Sequence, residues 1–254
     1  MLSNKYQKTY FSMRRIFLKT FIPEFFWPKE VILNLVPIKI RNAPYSFGVK
    51  RSLVKGEYEK YERLLISKRI KPGEIIFEFG GSIGVLTSIL AENVGPKGMI
   101  ISIEASEAIT NYSKIWLEKE PNIKVVNGFG FPVNKLLNKI NVENFDESGG
   151  TLGGKLTYSL SGNLEAESQN VYDLNKLINK FGVIPNILVI DIEGSEKILV
   201  DQTPMFPAEI RMILIELHPY IYGQICMLSI IESINSEGFS LIESNADVFL
   251  FERI

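Results

Sequence analysis

Between Ile75 and Glu252 short apolar runs alternate with stretches whose apolar positions recur every three or four residues. The runs Ile75–Phe79, Met99–Ile103, Ile123–Val126, Ile187–Ile190 and Met212–Leu217 are apolar on both alternating faces, as parallel strands covered by helices must be. Between them, Ser82 to about Asn93, Glu107–Glu120, Asp173–Phe181 and Ser195–Val200 read as helices, with Gly95-Pro96-Lys97-Gly98 and Pro121 as stops. A helix over about Ile225–Glu237 leads to two closing runs, Ser240–Glu243 and Val248–Glu252, near enough to pair as an antiparallel hairpin across Asn245-Ala246. The pattern predicts an α/β fold: a doubly wound, mostly parallel, seven-stranded sheet with right-handed crossovers and an antiparallel edge hairpin.

Ahead of this rhythm, Val31–Leu35 and Ile38–Ile40 read as short strands or a hairpin, and Glu57–Ile70 as one amphipathic helix ended by Lys71-Pro72-Gly73. From Tyr6 to Trp27 basic residues mix with aromatics. Such a segment either lies on an anionic membrane surface or packs its aromatic face as an N-terminal helix. The expected division is an N-terminal helical and hairpin extension over residues 1–53 and the main domain over 54–254. Residues 128–170, with the glycine-rich Gly149–Gly154, interrupt the rhythm as a functional segment, a mobile insertion or a set of small strands.

Composition narrows the classes. With 254 residues, 46% hydrophobic and 22% charged, the chain is neither disordered, collagen-like nor a coiled-coil rod. The formal net charge of −1 provides no basic footprint, and no nucleic-acid partner is expected. That total conceals an asymmetry: residues 1–45 carry eight basic and two acidic side chains, leaving 20 basic and 27 acidic for the rest. The single cysteine, Cys226, excludes an intramolecular disulfide and a cysteine-based metal site. No run of 18 apolar residues occurs, and Lys19 interrupts the best candidate for a signal core, Ile16–Ile22. A cytoplasmic protein without a spanning helix is expected, with peripheral membrane contact through residues 1–28 left open along with the oligomeric state.

The densest chemistry follows the first strand, at Glu78-Phe79-Gly80-Gly81-Ser82-Ile83-Gly84. Glycines permit a sharp turn and close approach of a nucleotide-like cofactor. The dinucleotide fingerprint Gly-x-Gly-x-x-Gly is not met, because Ser82 takes the second glycine's place and Gly84 comes one residue early, which argues against NAD. Glu104, at the tip of the second strand, has the position of a carboxylate that accepts both hydroxyls of an adenosine ribose; capping of the next helix is the plainer alternative.

Four motifs in order, Phe77-Glu78-Phe79-Gly80-Gly81-Ser82-Ile83-Gly84, Ser102-Ile103-Glu104-Ala105, Asp191-Ile192-Glu193-Gly194-Ser195-Glu196 and Ile215-Glu216-Leu217-His218-Pro219, resemble the FkbM-type methyltransferases, a branch of the class I S-adenosylmethionine-dependent enzymes. The likeness spans about Val54 to His218 and includes Gly56-Glu57-Tyr58-Glu59. Two departures stand out. The family usually reads Asp-Val-Gly-Ala-Asn-Ile-Gly at the first motif, and it places a lysine where this chain has Val189. The resemblance implies that Glu78, Gly80, Gly81, Ser82 and Gly84 surround the amino-acid end of S-adenosylmethionine, with Glu104 on its ribose and Asn127 near the adenine.

Asp191 and Glu193 follow the fourth strand at the carboxyl edge, where ligands bind in open α/β sheets. They are candidates for orienting the cofactor or acceptor or for acting as base, although Glu193 and Glu196 could also cap the helix near Ser195. His218, the only histidine, is a candidate general base for a sugar or alkyl hydroxyl, or a structural group that orients Asp191. Glu193, Glu216 and His218 lack a histidine pair and local ligand spacing, so no metal is expected. The implied activity is O-methylation of a saccharide or secondary-metabolite hydroxyl, the partner being a small-molecule or glycan acceptor. The rivals are an NAD-dependent oxidoreductase and a non-catalytic adenosine-binding or membrane-associated scaffold.

Overall fold

The structure is a computed structural model that describes residues 24–34, 36–43, 45–136, 139–146, 155–161 and 170–254. Most of the aromatic N-terminal segment and the glycine run 149–154 lie outside the described residues. The described residues up to Lys60 form one compact unit, and those from Tyr61 onward form another.

In the smaller unit, Glu30–Leu33 and Val36–Lys39 pair antiparallel, with Val31, Leu33 and Ile38 buried by alternation. The Arg41 guanidinium donates to the Trp27 carbonyl, and the buried Trp27 ring meets Phe47 edge-on at 5.4 Å. Helix α1 (Phe47–Lys55) begins at Ser46, whose hydroxyl accepts the Val49 N–H, and ends at Gly56 in the left-handed region. The helix expected over Glu57–Ile70 is corrected to a shorter one over Lys60–Ile66, and α1 ahead of it was not foreseen. Gly56 (φ 74°) terminates α1, and α2 (Lys60–Ile66) starts afresh after Glu59, itself at φ 47°.

The larger unit carries β1 (Ile75–Phe79), α3 (Val85–Val94), β2 (Met99–Glu104), α4 (Glu107–Leu117), β3 (Ile123–Asn127), α5 (Leu174–Phe181), β4 (Ile187–Ile190), α6 (Ile198–Asp201), β5 (Met212–Glu216), α7 (Pro219–Tyr222), α8 (Gln224–Ser236), β6 (Phe239–Asn245) and β7 (Val248–Arg253). Its seven-stranded sheet runs β6-β7-β5-β4-β1-β2-β3. The pairs among β5, β4, β1, β2 and β3 are parallel, and β7 is antiparallel to both β5 and β6. This is the predicted doubly wound sheet with its edge hairpin. Within the 128–170 stretch, Lys139–Asp146 pairs antiparallel with Lys155–Ser161, and Phe129–Gly130 pairs parallel with Val171–Tyr172. Besides α1, the short α7 escaped the apolar pattern, and the helix expected over Ser195–Val200 is a 3-10 turn, Ser195–Lys197, running into α6.

Strand alternation splits the core in two. Phe77, Phe79, Ile101, Ile103, Leu188, Ile190, Ile213 and Ile215 face Leu174 and Leu177 of α5, Ile198 and Leu199 of α6, and Ile230 and Ile234 of α8. Ile76, Ile100, Val125, Ile187, Val189, Met212 and Leu214 form the other face with Leu65, Ile66, Leu86, Leu90 and Leu117. Full burial of one such side chain contributes about 1.5–3 kcal/mol, which explains why the strands are mostly apolar on both faces, with Glu78, Glu104 and Glu216 confined to their carboxyl ends. At the amino edge, Arg211 spans Glu74 and the Arg69 carbonyl, tying the start of β5 to that of β1. The strand order reverses between β1 and β4, so the crevice opens at their carboxyl ends.

Candidate active site

The turn after β1 is pressed between the neighbouring strand ends. Gly80 sits at φ +86°, and a Cβ there would lie 1.7 Å from the Asp191 carbonyl oxygen; at Gly81 it would lie 1.9 Å from Ser102 Oγ. The Gly80 and Gly81 N–H groups both donate to the Ile103 carbonyl. These two donors thus staple the turn to β2 and are not aimed into the crevice. Ser82 (φ 47°) donates its N–H to Glu104 Oε2 at 2.9 Å, and Ser106 donates to Oε1 at 2.8 Å. Glu104 is thereby fixed at the tip of β2. Each carboxylate oxygen has two lone pairs, so a vicinal diol finds acceptors on a carboxylate held in this way. Asn127 lies opposite Glu104 in the β2–β3 register, but its Nδ2 reaches the Glu104 and Ala105 carbonyls and Thr110 Oγ1, which makes its amide nitrogen a tether of the strand tips.

Glu78 lies beneath the turn, 2% exposed, where Thr87 Oγ1 donates to its Oε2 at 2.5 Å. Its partner across the sheet is Val189, the position at which the resembled family carries lysine. Without a cation there, burial pushes the Glu78 carboxyl up to about 7, against the opposing hydrogen bonds from Ser102 and Thr87. A raised carboxyl binds more protons folded than unfolded, so its contribution is present at low pH and lost as pH climbs from about 4.5 to about 7. That loss is on the order of 3 kcal/mol. Glu78→Gln is expected to flatten this pH dependence and to be more stable than the parent near pH 8, as urea unfolding at several pH values would show. A parent whose stability does not fall over that interval would contradict the assignment.

Across the crevice, β4 and β5 bring a second group together. After β4 the chain turns through Glu193 (φ 49°) and Gly194 (φ 101°). Glu196, fully buried, accepts the Ile192 N–H on Oε1 at 3.1 Å and the Gly194 N–H on Oε2 at 3.0 Å. His218, 3% exposed, follows β5; its backbone N–H donates to the Tyr222 hydroxyl at 2.6 Å, so α7 holds the residue in place. The imidazole Nδ1 lies 3.1 Å from Glu196 Oε1, and Nε2 lies 3.6 Å from Asp191 Oδ1 and 3.5 Å from Glu193 Oε2. Asp191 Oδ1 is buried with no hydrogen-bond partner.

Carboxylates crowd this crevice. Burial, followed by the charges of Glu216, Glu193, Glu196 and Glu62, holds the Asp191 carboxyl well above its usual range. Glu216 is pushed up to about 8 by burial and then by Glu62, with which it also shares a hydrogen bond. Burial disfavours the charged His218 ring, yet the hydrogen bond and charge of Glu196, with Glu193 and Glu216, outweigh it and raise the ring above its ordinary 6.5.

The predicted Asp191, Glu193 and His218 therefore converge, facing a turn and Glu104 that form the other half of the crevice. Two participants were not foreseen. Glu196 was read as a cap, which it is through the Gly194 N–H, but it also meets the imidazole. Glu62 comes from α2, and no local motif announced it. Asp191, Glu196 and His218 also place one donor atom each within 4.8 Å of one another. Glu196 Oε1 already meets both the Ile192 N–H and His218 Nδ1, and Oε2 holds the Gly194 N–H, so an ion at Oε1 would have to compete with the imidazole and the turn.

The strand order, a doubly wound parallel sheet closed at one edge by the antiparallel β6–β7 pair, is that of the class I methyltransferase fold. Residues 57–132 match the family model of protein-L-isoaspartate(D-aspartate) O-methyltransferase. Among solved structures, the chain is similar to Aeropyrum pernix fibrillarin in complex with S-adenosyl-L-methionine (12% identity, 72% of this chain and 67% of that one, TM-score 0.43). It is also similar to Methanococcus jannaschii fibrillarin, a pre-rRNA processing protein (14%, 93% and 86%, 0.45), and to precorrin-6y C5,15-methyltransferase from Geobacter metallireducens (14%, 76% and 85%, 0.42). No curated protein matches the chain. Among the described residues no helix is long and apolar enough to cross a membrane.

Proposed function

We propose that the protein transfers the methyl group of S-adenosylmethionine to a hydroxyl oxygen of an uncharged acceptor, a saccharide or another secondary metabolite. The observation that carries this reading is the Asp191, Glu193 and His218 group at the carboxyl ends of β4 and β5, with Nε2 3.6 and 3.5 Å from the two carboxylates. The Gly80–Gly84 turn and Glu104 would hold the cofactor, which supplies an electrophilic methyl group. The glycines suit this role because their missing side chains leave the turn flat against β2 and β4.

On the other side, Asp191 and Glu193 bind and orient the acceptor hydroxyl, and His218 Nε2 receives its proton as the oxygen takes the methyl group. The electron pair of the broken carbon–sulfur bond stays on sulfur. Holding oxygen, carbon and sulfur in line is the larger share of the protein's work. The crevice already disfavours negative charge, as the raised Asp191 and Glu216 carboxyls indicate, so it opposes a carboxylate or phosphate-rich acceptor and suits a neutral alcohol better than an acidic side chain or RNA.

The test is transfer of labelled methyl from S-adenosylmethionine to fractionated cell metabolites and glycans. An alkali-stable ether is expected. A base-labile methyl ester, or label confined to nucleic acid, would overturn the choice of acceptor. The activity should rise with pH through the raised His218 value, because only the neutral ring takes a proton.

A further inference from the structure

We propose that Glu196 is the positioning residue of this site: it fixes His218 with Nδ1–H directed at its carboxylate, so that Nε2 is the ring atom presented to the acceptor. The inference rests on the methyltransferase reading for its purpose, but its geometry stands independently. Glu196 is fully buried, and its two oxygens receive the Ile192 and Gly194 N–H groups, which leaves it no freedom to swing away. A carboxylate accepts hydrogen bonds and offers none, so the ring nitrogen 3.1 Å from Oε1 is the protonated one. A neutral imidazole carries a single N–H; with it committed to Glu196, Nε2 bears the lone pair. The two carboxyl groups nearest Nε2 stand at 3.5 and 3.6 Å, too far for good hydrogen bonds, so neither holds this nitrogen as Glu196 holds Nδ1.

One residue therefore does two things. The same carboxylate that shapes the turn carrying Asp191 and Glu193 also sets the ring's tautomer and angle, so the base and the acceptor-binding groups are positioned by one buried anchor. Every titratable group acting on the ring enters its pH response: Asp191 and Glu193 after β4, Glu196 in the 3-10 turn, Glu216 at the end of β5, and Tyr220 and Tyr222 on α7. Among these Glu196 is the one hydrogen-bonded to the ring.

Because the chain contains one histidine, nitrogen NMR of protein labelled at histidine reads this ring without assignment. Free, full-length protein is titrated first. Above the ring's titration midpoint the expected result is the neutral Nδ1–H form; an Nε2–H ring there would overturn the proposal without any variant being needed. In Glu196→Gln the ring's titration midpoint should fall by about one unit, since an opposite charge in contact is removed. The acidic limb of kcat should move by the same amount, with kcat reduced and the KM for S-adenosylmethionine unchanged. A midpoint and limb that stay in place in a folded Glu196→Gln protein would show the contact to be structural only. If the tautomer and midpoint behave as expected but no methyl transfer is found, the anchor stands and the methyltransferase reading falls.

Discussion

Replacing His218 by alanine should lower kcat for methyl transfer by about 10²- to 10⁴-fold, the usual contribution of a positioned general base. S-adenosylmethionine binding should change little, because the turn and Glu104 lie on β1 and β2, whereas His218 follows β5. The ring is 3% exposed and touches Glu196, so the truncation also leaves a cavity and an unpaired carboxylate oxygen. His218→Asn separates the two effects: it retains a donor for Glu196 but offers no base, so it should fold like the parent and remain as inactive as the alanine variant. Turnover within a few-fold of the parent in both variants would remove His218 from the chemistry and return Asp191 and Glu193 as the candidates for base.

Gly80→Ala should cost more in structure than any other single methyl group added here. The position combines a left-handed backbone (φ +86°) with a Cβ site 1.7 Å from the Asp191 carbonyl oxygen. Strain of the backbone and displacement of the end of β4 together amount to about 4 kcal/mol. Since Asp191 moves with that carbonyl, methyl transfer should be lost along with stability. Gly73→Ala provides the control: φ is +87°, but no atom lies within 4 Å of the added Cβ, so only the backbone term of about 1 kcal/mol remains. Chemical denaturation of the two variants should separate by several kcal/mol. Equal midpoints would mean that the turn is not pressed against β4 as described.

The parts of this protein readable from its sequence are those set by local repetition. Five apolar runs with helical stretches between them announce a parallel sheet because each strand must be apolar on both faces, and the burial of Ile187–Ile190 on both sides shows why. Gly80, Gly81 and Glu104 were legible for the same reason: a sharp turn and a strand tip are local events. The misreading over Glu57–Ile70 is equally local, since the amphipathic pattern starts ahead of α2, where Glu59 at φ 47° is not helical, and runs on beyond its end at Ile66.

What stayed hidden depends on contacts between distant residues. Glu196 and His218 are 22 positions apart and meet only because β4 and β5 are neighbours. Asn127, which the resemblance sets near the adenine, ends β3 opposite Glu104 in the sheet register, and only that register reveals that its amide nitrogen also joins the strand tips. The cost of Val189 was visible only once the register set it opposite Glu78.

The central claim is that the crevice between the Gly80–Gly84 turn and Glu104 holds S-adenosylmethionine. Titration calorimetry of the full chain with S-adenosylhomocysteine, and separately with NADH, tests it most directly. The account predicts saturable one-to-one binding of S-adenosylhomocysteine and none of NADH. Binding of NADH with no response to S-adenosylhomocysteine would contradict it and favour the oxidoreductase reading that the glycine spacing disfavours.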